Sequence, residues 1–371
     1  MNIYPLIGKI DSNNAPIIEE KINQYIKDNQ LDNIILDCNE LLYISSAGLR
    51  IILRLNKILK DIKLINVNNE VYEILNITGL SEFIKVDKVL RKINIDGANI
   101  IGEGAHGIVY KIADDTIVKV YRPNTPIERI KKEISLARWA FIRGIPTAIP
   151  YDIVEVDDKY GAVFELINAK STIDYINASK ENLEEFVRKS VILLKQIHSI
   201  EVNDDEFPDM KLNTIDWFNN IKDKFNEDEI NKINNIINNI EDSHTLIHAD
   251  YHLKNILICD DELMLIDMDT LSKGDPIFDL ATIFNSYYEF PTIDKNAATF
   301  LGIDVNTAYE ILDKTFSFYL DNKNIEEIKE RAQLLGCIRI INYMNKYEDE
   351  NIKKMVIEAC LKDMKDIIKE R

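Results

Sequence analysis

Between Leu246 and Asp269 the chain sets Asp250, Asn255 and Asp267 around two short apolar runs, Ile256 to Ile258 and Leu263 to Ile266. That pattern predicts a loop feeding a β-hairpin turned at Asp260-Asp261, with Asp250 and Asn255 just before the first arm and Asp267 just after the second. All three polar side chains then face one cleft. Phosphoryl transfer from ATP needs such a set: a carboxylate to orient and accept the proton of an attacking hydroxyl, and an amide with a second carboxylate to hold Mg²⁺ against the phosphates. Hard oxygen ligands suit that ion.

A nucleotide clamp has to accompany these groups, and the sequence upstream supplies candidates. Ile100-Ile-Gly-Glu-Gly-Ala-His-Gly-Ile-Val-Tyr-Lys111 places Gly102, Gly104 and Gly107 ahead of a β-branched run, a strand-turn-strand able to close over phosphates. Lys119, between Val118 and Val120, reads as the lysine that grips the α- and β-phosphates. Inside an apolar strand it needs a partner. Glu133 offers one on a helix whose Leu136, Ala137 and Phe141 share its face, with Glu128 as the alternative. Tyr151 to Val156 and Gly161 to Leu166 form a further hairpin turned at Asp157-Asp158-Lys159.

His248-Ala-Asp250, with Asn255 five residues on and then Ile266-Asp267, resembles the catalytic loop of aminoglycoside and choline phosphotransferases, which share the protein-kinase fold. The resemblance implies Asp250 as catalytic base, Asn255 and Asp267 as metal ligands, His248 as a structural residue beneath the loop, and ATP and Mg²⁺ as cofactors. Phe164-Glu-Leu-Ile167 resembles a kinase hinge whose backbone at Glu165 and Ile167 would pair with adenine. His198 is expected to be structural, Asp279 to brace the catalytic loop, and Asp269 to stand near the metal. Asp275 suits a helix N-cap followed by Pro276. Seven residues separate Asp267 from Asp275, and Ala249 stands where protein kinases carry the arginine of His-Arg-Asp. Both departures favour a small-molecule hydroxyl acceptor over a docked peptide.

The 371 residues, 46% of them hydrophobic, allow two or three domains with cores of their own. Formal charge is −18; residues 1 to 90 carry 10 Lys/Arg against 12 Asp/Glu, and the other 281 carry 35 against 51. This field disfavours nucleic acid and anionic membrane as partners and suits a cationic substrate. Cys38, Cys259, Cys337 and Cys360 lie far apart, which matches neither a zinc motif nor a disulfide framework. With no leader pattern and no run of eighteen apolar residues, the expected location is cytoplasmic.

Residues 1 to 90 read as a separate α/β module with a mostly parallel sheet. Strands are expected at Ile3 to Ile7, Asn33 to Asp37, Lys63 to Val67 and Phe83 to Val86, and helices at Ala15 to Ile26, Ser46 to Leu59 and Glu70 to Ile77. Ile35-Leu-Asp37, Tyr43-Ile-Ser-Ser-Ala-Gly-Leu-Arg50 and Asn66 to Leu80 resemble the STAS domains of anti-sigma-factor antagonists. The resemblance implies a protein partner and a regulatory phosphosite at Ser45 or Ser46, at a helix start that suits an anion. Ser45 as a plain helix cap is the other reading.

The expected whole is thus an α/β STAS-like module (1–90) followed by a bilobal α+β protein-kinase-like domain, its smaller lobe at 91–168 and its helical lobe, with the catalytic hairpin, at 169–371. Helices in the latter are expected at Asn182 to His198, Ile215 to Ile240, Ile277 to Tyr288, Asn306 to Leu320, Ile325 to Asn345 and from about Asn351. Three functions compete: a phosphotransferase with an alcohol group as acceptor and a regulatory STAS module; a serine kinase acting on a protein such as a STAS domain; and a non-enzymatic nucleotide sensor. Retention of Lys119, Asp250, Asn255 and Asp267 together argues against the third.

Overall fold

The computed structural model describes residues 2–104, 106–293, 301–345, 347 and 349–369. The chain divides into two compact units, Met1–Ile93 and Asn94–Arg371.

In the first unit, strands Ile3–Ile10, Asn33–Ile44, Asp61–Val67 and Lys85–Lys88 pair in that order and all in parallel. Helices Ala15–Asp28, Ser46–Ile58 and Asn69–Ile77 connect them. Parallel strands need such crossovers, and their buried apolar residues, Leu36, Leu41 and Leu64 among them, meet Ile22, Ile52, Leu55 and Val71 from the helices. Gly48 permits the closest approach, because a Cβ there would lie 2.6 Å from Ile44 and 2.8 Å from Ile10. Two expectations need correction. The second strand runs on to Ile44 instead of ending at Asp37. Phe83 closes a helical turn, Leu80–Phe83, set up by Gly79 in the left-handed region, so the last strand starts at Lys85.

The second unit begins with an antiparallel sheet in which Pro150–Val156, Lys159–Glu165, Thr116–Tyr121, Gly107–Ala113 and Asn99–Gly104 are neighbours in that order. Helix Ile127–Ile142 packs on it through Ile130 and Ile134. Helices then dominate: Lys180–His198, Met210–Asn219, Glu227–Asn238, Ile277–Phe284, Val305–Tyr319, Ile325–Met344 and Glu350–Lys369. Their core also contains Ile256 and Leu265 of the hairpin Ile256–Cys259 and Glu262–Leu265. That hairpin is tied to the sheet lobe by Leu265 N–H to the Pro146 carbonyl (2.7 Å), and to the segment that follows the sheet by Lys170 N–H to the Ile258 carbonyl (2.8 Å).

The single helix expected over Ile215 to Ile240 is two. Asn226 accepts from the Glu229 N–H and Glu229 accepts from the Asn226 N–H, a capping box that starts a new helix inside a continuous apolar period. The helix expected over Ile277 to Tyr288 passes into a π-turn at Asn285–Glu289. There Asn285 reaches the Gly336 carbonyl, and a Cβ on Gly336 would lie 2.1 Å from the Asn285 side chain. No described helix is long and apolar enough to cross a membrane.

Candidate active site

The glycine turn closes with Gly104 opposite Gly107. A Cβ at Gly107 would lie 2.2 Å from the Val120 carbonyl oxygen, so only glycine fits; at Gly104 it would meet open space, and at Gly102 only Val109 at 3.8 Å. Tight packing therefore accounts for one of the three glycines.

From the adjoining strand Lys119 places Nζ 2.7 Å from Glu133 Oε1 and 3.4 Å from Asp267 Oδ1. Burial alone would depress the ammonium, but Asp267 and Glu133 outweigh it and hold it above its ordinary value. Glu133 is buried with Leu136 and Ala137, whereas Glu128 lies outside and pairs with Lys131 at 3.0 Å. Phe141, assigned from spacing to the same face, is exposed.

The loop carrying Asp250 is held from beneath. Asp279, fully buried, accepts the His248 N–H at 2.8 Å and the Ala249 N–H at 2.6 Å, and is itself held by His198 Nε2 at 2.9 Å. His198 bonds onward to the Tyr319 hydroxyl. Thr270 donates to the His248 carbonyl, Tyr251 to the Ser190 carbonyl, and the Leu253 N–H to Tyr287. So braced, Ala249 keeps a φ of 62°, which a non-glycine residue adopts at a cost. His248 is buried; its Nδ1 receives the Asp250 N–H at 3.3 Å, and burial lowers its pKa, so the ring is neutral.

Asp250 meets Asn255 Nδ2 at 3.2 Å and His252 Nε2 at 3.6 Å. Burial would raise its carboxyl, but His252, Arg339 and His248 outweigh that and hold it at about 2. Asn255 also gives Nδ2 to the Asp250 carbonyl, and its own carbonyl receives the Ile266 N–H at 2.9 Å, which fastens the segment before the hairpin to the one after it. Asp267 follows with φ 66°. Because Asn255 spends its amide N–H on Asp250, its Oδ1 is left as a ligand atom. Beside Asp267 this is an all-oxygen donor pair fit for Mg²⁺. Burial, Asp267 and Glu133 raise the Asp269 carboxyl to about 6 against the pull of Lys119 and Arg129, the latter 3.7 Å away.

At the end of strand Lys159–Glu165 the Glu165 N–H is donated to the Ile149 carbonyl (3.0 Å), its carboxylate accepts from Ile149 N–H (3.2 Å), and the Ile167 carbonyl takes the Ala169 N–H. Asp275 accepts the Ile277 N–H at 2.8 Å, but the N-cap position falls on Pro276, one residue later than expected, and the helix starts at Ile277. In the first unit Ser45 occupies the N-cap position of helix Ser46–Ile58, but its hydroxyl makes no capping bond and is buried without a partner, while Ser46 is exposed. The plain-cap reading of Ser45 is therefore not realised.

Beside the loop lies a cleft of about 310 Å³, lined by Trp217, Ala249, Asp269, Thr270, Arg339 and Asn342 among others. Sequence reading missed Arg339, Trp217 and Asn342, which sit on helices with no motif. It also passed over His252, which was visible as the second histidine of His248-Ala-Asp-Tyr-His252.

A sheet lobe with a glycine turn and a lysine–glutamate pair, joined to a helical lobe with a braced Asp-Asn-Asp loop, defines a protein-kinase-like phosphotransferase fold. The chain belongs to the phosphotransferase enzyme family, whose model matches residues 98–309, and residues 1–93 match the STAS domain. The expected order, an α/β STAS module and then a bilobal kinase-like domain, holds. Similar solved structures include ADP-bound aminoglycoside phosphotransferase APH(2'')-Ib, at 19% identity and TM-score 0.50, covering 79% of this chain and 98% of that one. The streptomycin–ATP complex of APH(2'')-IIa has 18% identity, TM-score 0.51 and coverage of 70% and 89%. The GDP complex of aminoglycoside 2'-phosphotransferase-IIIa has 10%, 0.51, 80% and 98%. At these identities the likeness is one of fold. A comparison with curated proteins returns no match.

Proposed function

We propose that the protein transfers the γ-phosphate of ATP to a hydroxyl of a small molecule, with Asp250 as the group that orients the hydroxyl and takes its proton. The observation that carries this reading is the pairing of Lys119 with Glu133 at 2.7 Å and with Asp267 at 3.4 Å, and of Asn255 with Asp250 at 3.2 Å, the two sets being fastened together by the Ile266 N–H on the Asn255 carbonyl at 2.9 Å. Lys119, fixed by Glu133, presents a positive charge to the phosphates. Asn255 and Asp267 would hold Mg²⁺, which when bound neutralises charge on the β- and γ-phosphates. The glycine turn at Gly102, Gly104 and Gly107 supplies backbone N–H groups above them. With the Glu165 N–H and the Ile167 carbonyl already engaged, the Glu165 carbonyl and the Ile167 N–H are the acceptor and donor left for a purine edge.

A carboxyl held at about 2 is a weak base, so Asp250 acts chiefly by orientation and receives the proton late, as phosphoryl transfer of loose character requires. The connection after Asp267 favours a small acceptor over a peptide. Ser272 and Lys273 pair directly with Ile247 and Leu246, which leaves no separate segment on which a peptide could dock. The relatives named for streptomycin and other aminoglycosides support a small hydroxylated acceptor as a class. The STAS module serves as the regulatory and protein-binding unit, with exposed Ser46 the better placed of its two serines.

The test is product formation: full-length protein with MgATP and a panel of hydroxyl compounds and STAS protein, read by mass spectrometry. A gain of one phosphate on a small molecule supports the reading. Phosphate transferred to STAS protein alone would replace it with the serine-kinase reading. Asp267→Ala should abolish the Mg²⁺-dependent part of ATP affinity; survival of that part would remove Asp267 from the ligand set.

A further inference from the structure

Arg339 stands on helix Ile325–Met344 and lines the cleft beside the catalytic loop, together with Ala249, Asp269 and Thr270. Its guanidinium makes no hydrogen bond or ion pair with any described residue. The acids around it are already served. Asp279 is held by His198 and by the N–H groups of His248 and Ala249, Asp250 faces Asn255 and His252, and Asp269 faces Arg129 at 3.7 Å. Taking a guanidinium partly out of water without a partner costs energy, and its planar fork matches a carboxylate or a phosphate.

We propose that Arg339 grips an anionic group of the acceptor, so that the substrate is a small hydroxyl compound bearing a carboxylate or a phosphate. The inference rests on the phosphotransferase reading above and adds the chemical class of what enters the cleft. It also runs against the cationic acceptor suggested by the net charge of −18. A surface field steers approach over a distance, but an unpartnered cation inside the cleft decides what is held there. Asn342 and Trp217 on the same walls offer an amide and a ring face for the rest of a small polar molecule. The 310 Å³ available suits something much smaller than a trisaccharide antibiotic.

The test offers full-length protein and MgATP matched acceptors that differ in charge: glycerate against glyceramide, glycerol 3-phosphate against glycerol, and choline as the cation. Transfer should favour the anionic members. Arg339→Met should lower kcat/KM for them about 10- to 100-fold, chiefly through KM, and Arg339→Lys should retain part of it. Preferential use of glyceramide, glycerol or choline would overturn the inference, as would a preference for anions unchanged in Arg339→Met. Weaker binding of MgATP but not MgADP in Arg339→Met would assign the guanidinium to the γ-phosphate instead, which also overturns it. A second measurement does not depend on turnover. Modification of Arg339 by phenylglyoxal, read on peptides, should be slowed at least fivefold by inorganic phosphate or glycerate beyond chloride at equal ionic strength, and equal rates would sink the anion site. Protection without ATP-dependent transfer to any acceptor would count against the phosphotransferase reading while leaving the anion site standing.

Discussion

At the scale of single residues, the groups proposed to do the chemistry stand out in the sequence because each needs a particular residue type at a particular spacing. A carboxylate, an amide five residues on and a second carboxylate after a hairpin have few other reasons to occur together, and Lys119 between valines demanded an acid that Glu133 supplies at 2.7 Å. Arg339 was not legible, since an arginine in an amphipathic helix shows nothing of what its far end faces. For Asp250 the expected test outcome is specific. Asp250→Asn keeps the size and the contact with Asn255 but cannot take a proton, so turnover should fall about 10²-fold or more with ATP affinity nearly intact. Paired measurements of kcat and nucleotide Kd decide it, and equal turnover would remove Asp250 from its role.

Elements were legible where one period ran uninterrupted, and were misread where a local polar bond cut across it. Ile230, Ile233, Ile236 and Ile237 keep helical spacing with Ile215 behind them, yet the Asn226–Glu229 capping box starts a second helix there. The glycine turn gives a test at this scale. Gly107→Ala would press a Cβ onto the Val120 carbonyl, in the strand that carries Lys119, and should cost about 1 to 3 kcal/mol of stability and weaken ATP binding. Gly104→Ala meets open space and should leave stability unchanged, so equal melting temperatures for the two variants would refute the packing argument. The π-turn Asn285–Glu289 gives another. Glu289 is buried, accepts from Gln333, Cys337 and Cys360, and its carboxyl is pushed up to about 7 by burial and then by Asp363. Because the folded state holds that proton more tightly than the unfolded chain, this stabilisation is complete below about pH 4.3 and is lost as pH rises through about 7. Glu289→Gln should therefore gain stability relative to the parent between pH 5 and pH 8, by an amount on the order of a few kcal/mol. Melting temperatures of both proteins at the two pH values measure it, and a constant difference would contradict the raised pKa.

For the whole molecule, the alternation of strands and helices in the first ninety residues and the later run of helices foretold the class of each part, because layer architecture follows from which faces must be buried. Among the described residues, the core cluster of the first unit runs from Leu6 to Ile84, and the buried apolar residues of the second run from Val118 onward, so each unit has a core of its own. Units with separate cores fold separately. A fragment 94–371 should therefore be soluble, melt cooperatively and retain MgATP-dependent turnover, since Lys119, Glu133, Asp250, Asn255 and Asp267 all lie within it. The STAS module contributes none of these groups, and the role proposed for it is regulatory. On that reading the fragment and full-length Ser46→Asp should each differ from the parent in rate or in protein partner, with the acceptor itself unchanged. Turnover and partner capture for the three proteins measure this. An aggregated fragment would place the boundary wrongly, and a soluble fragment matching the parent in rate and partner would leave the module without a regulatory role.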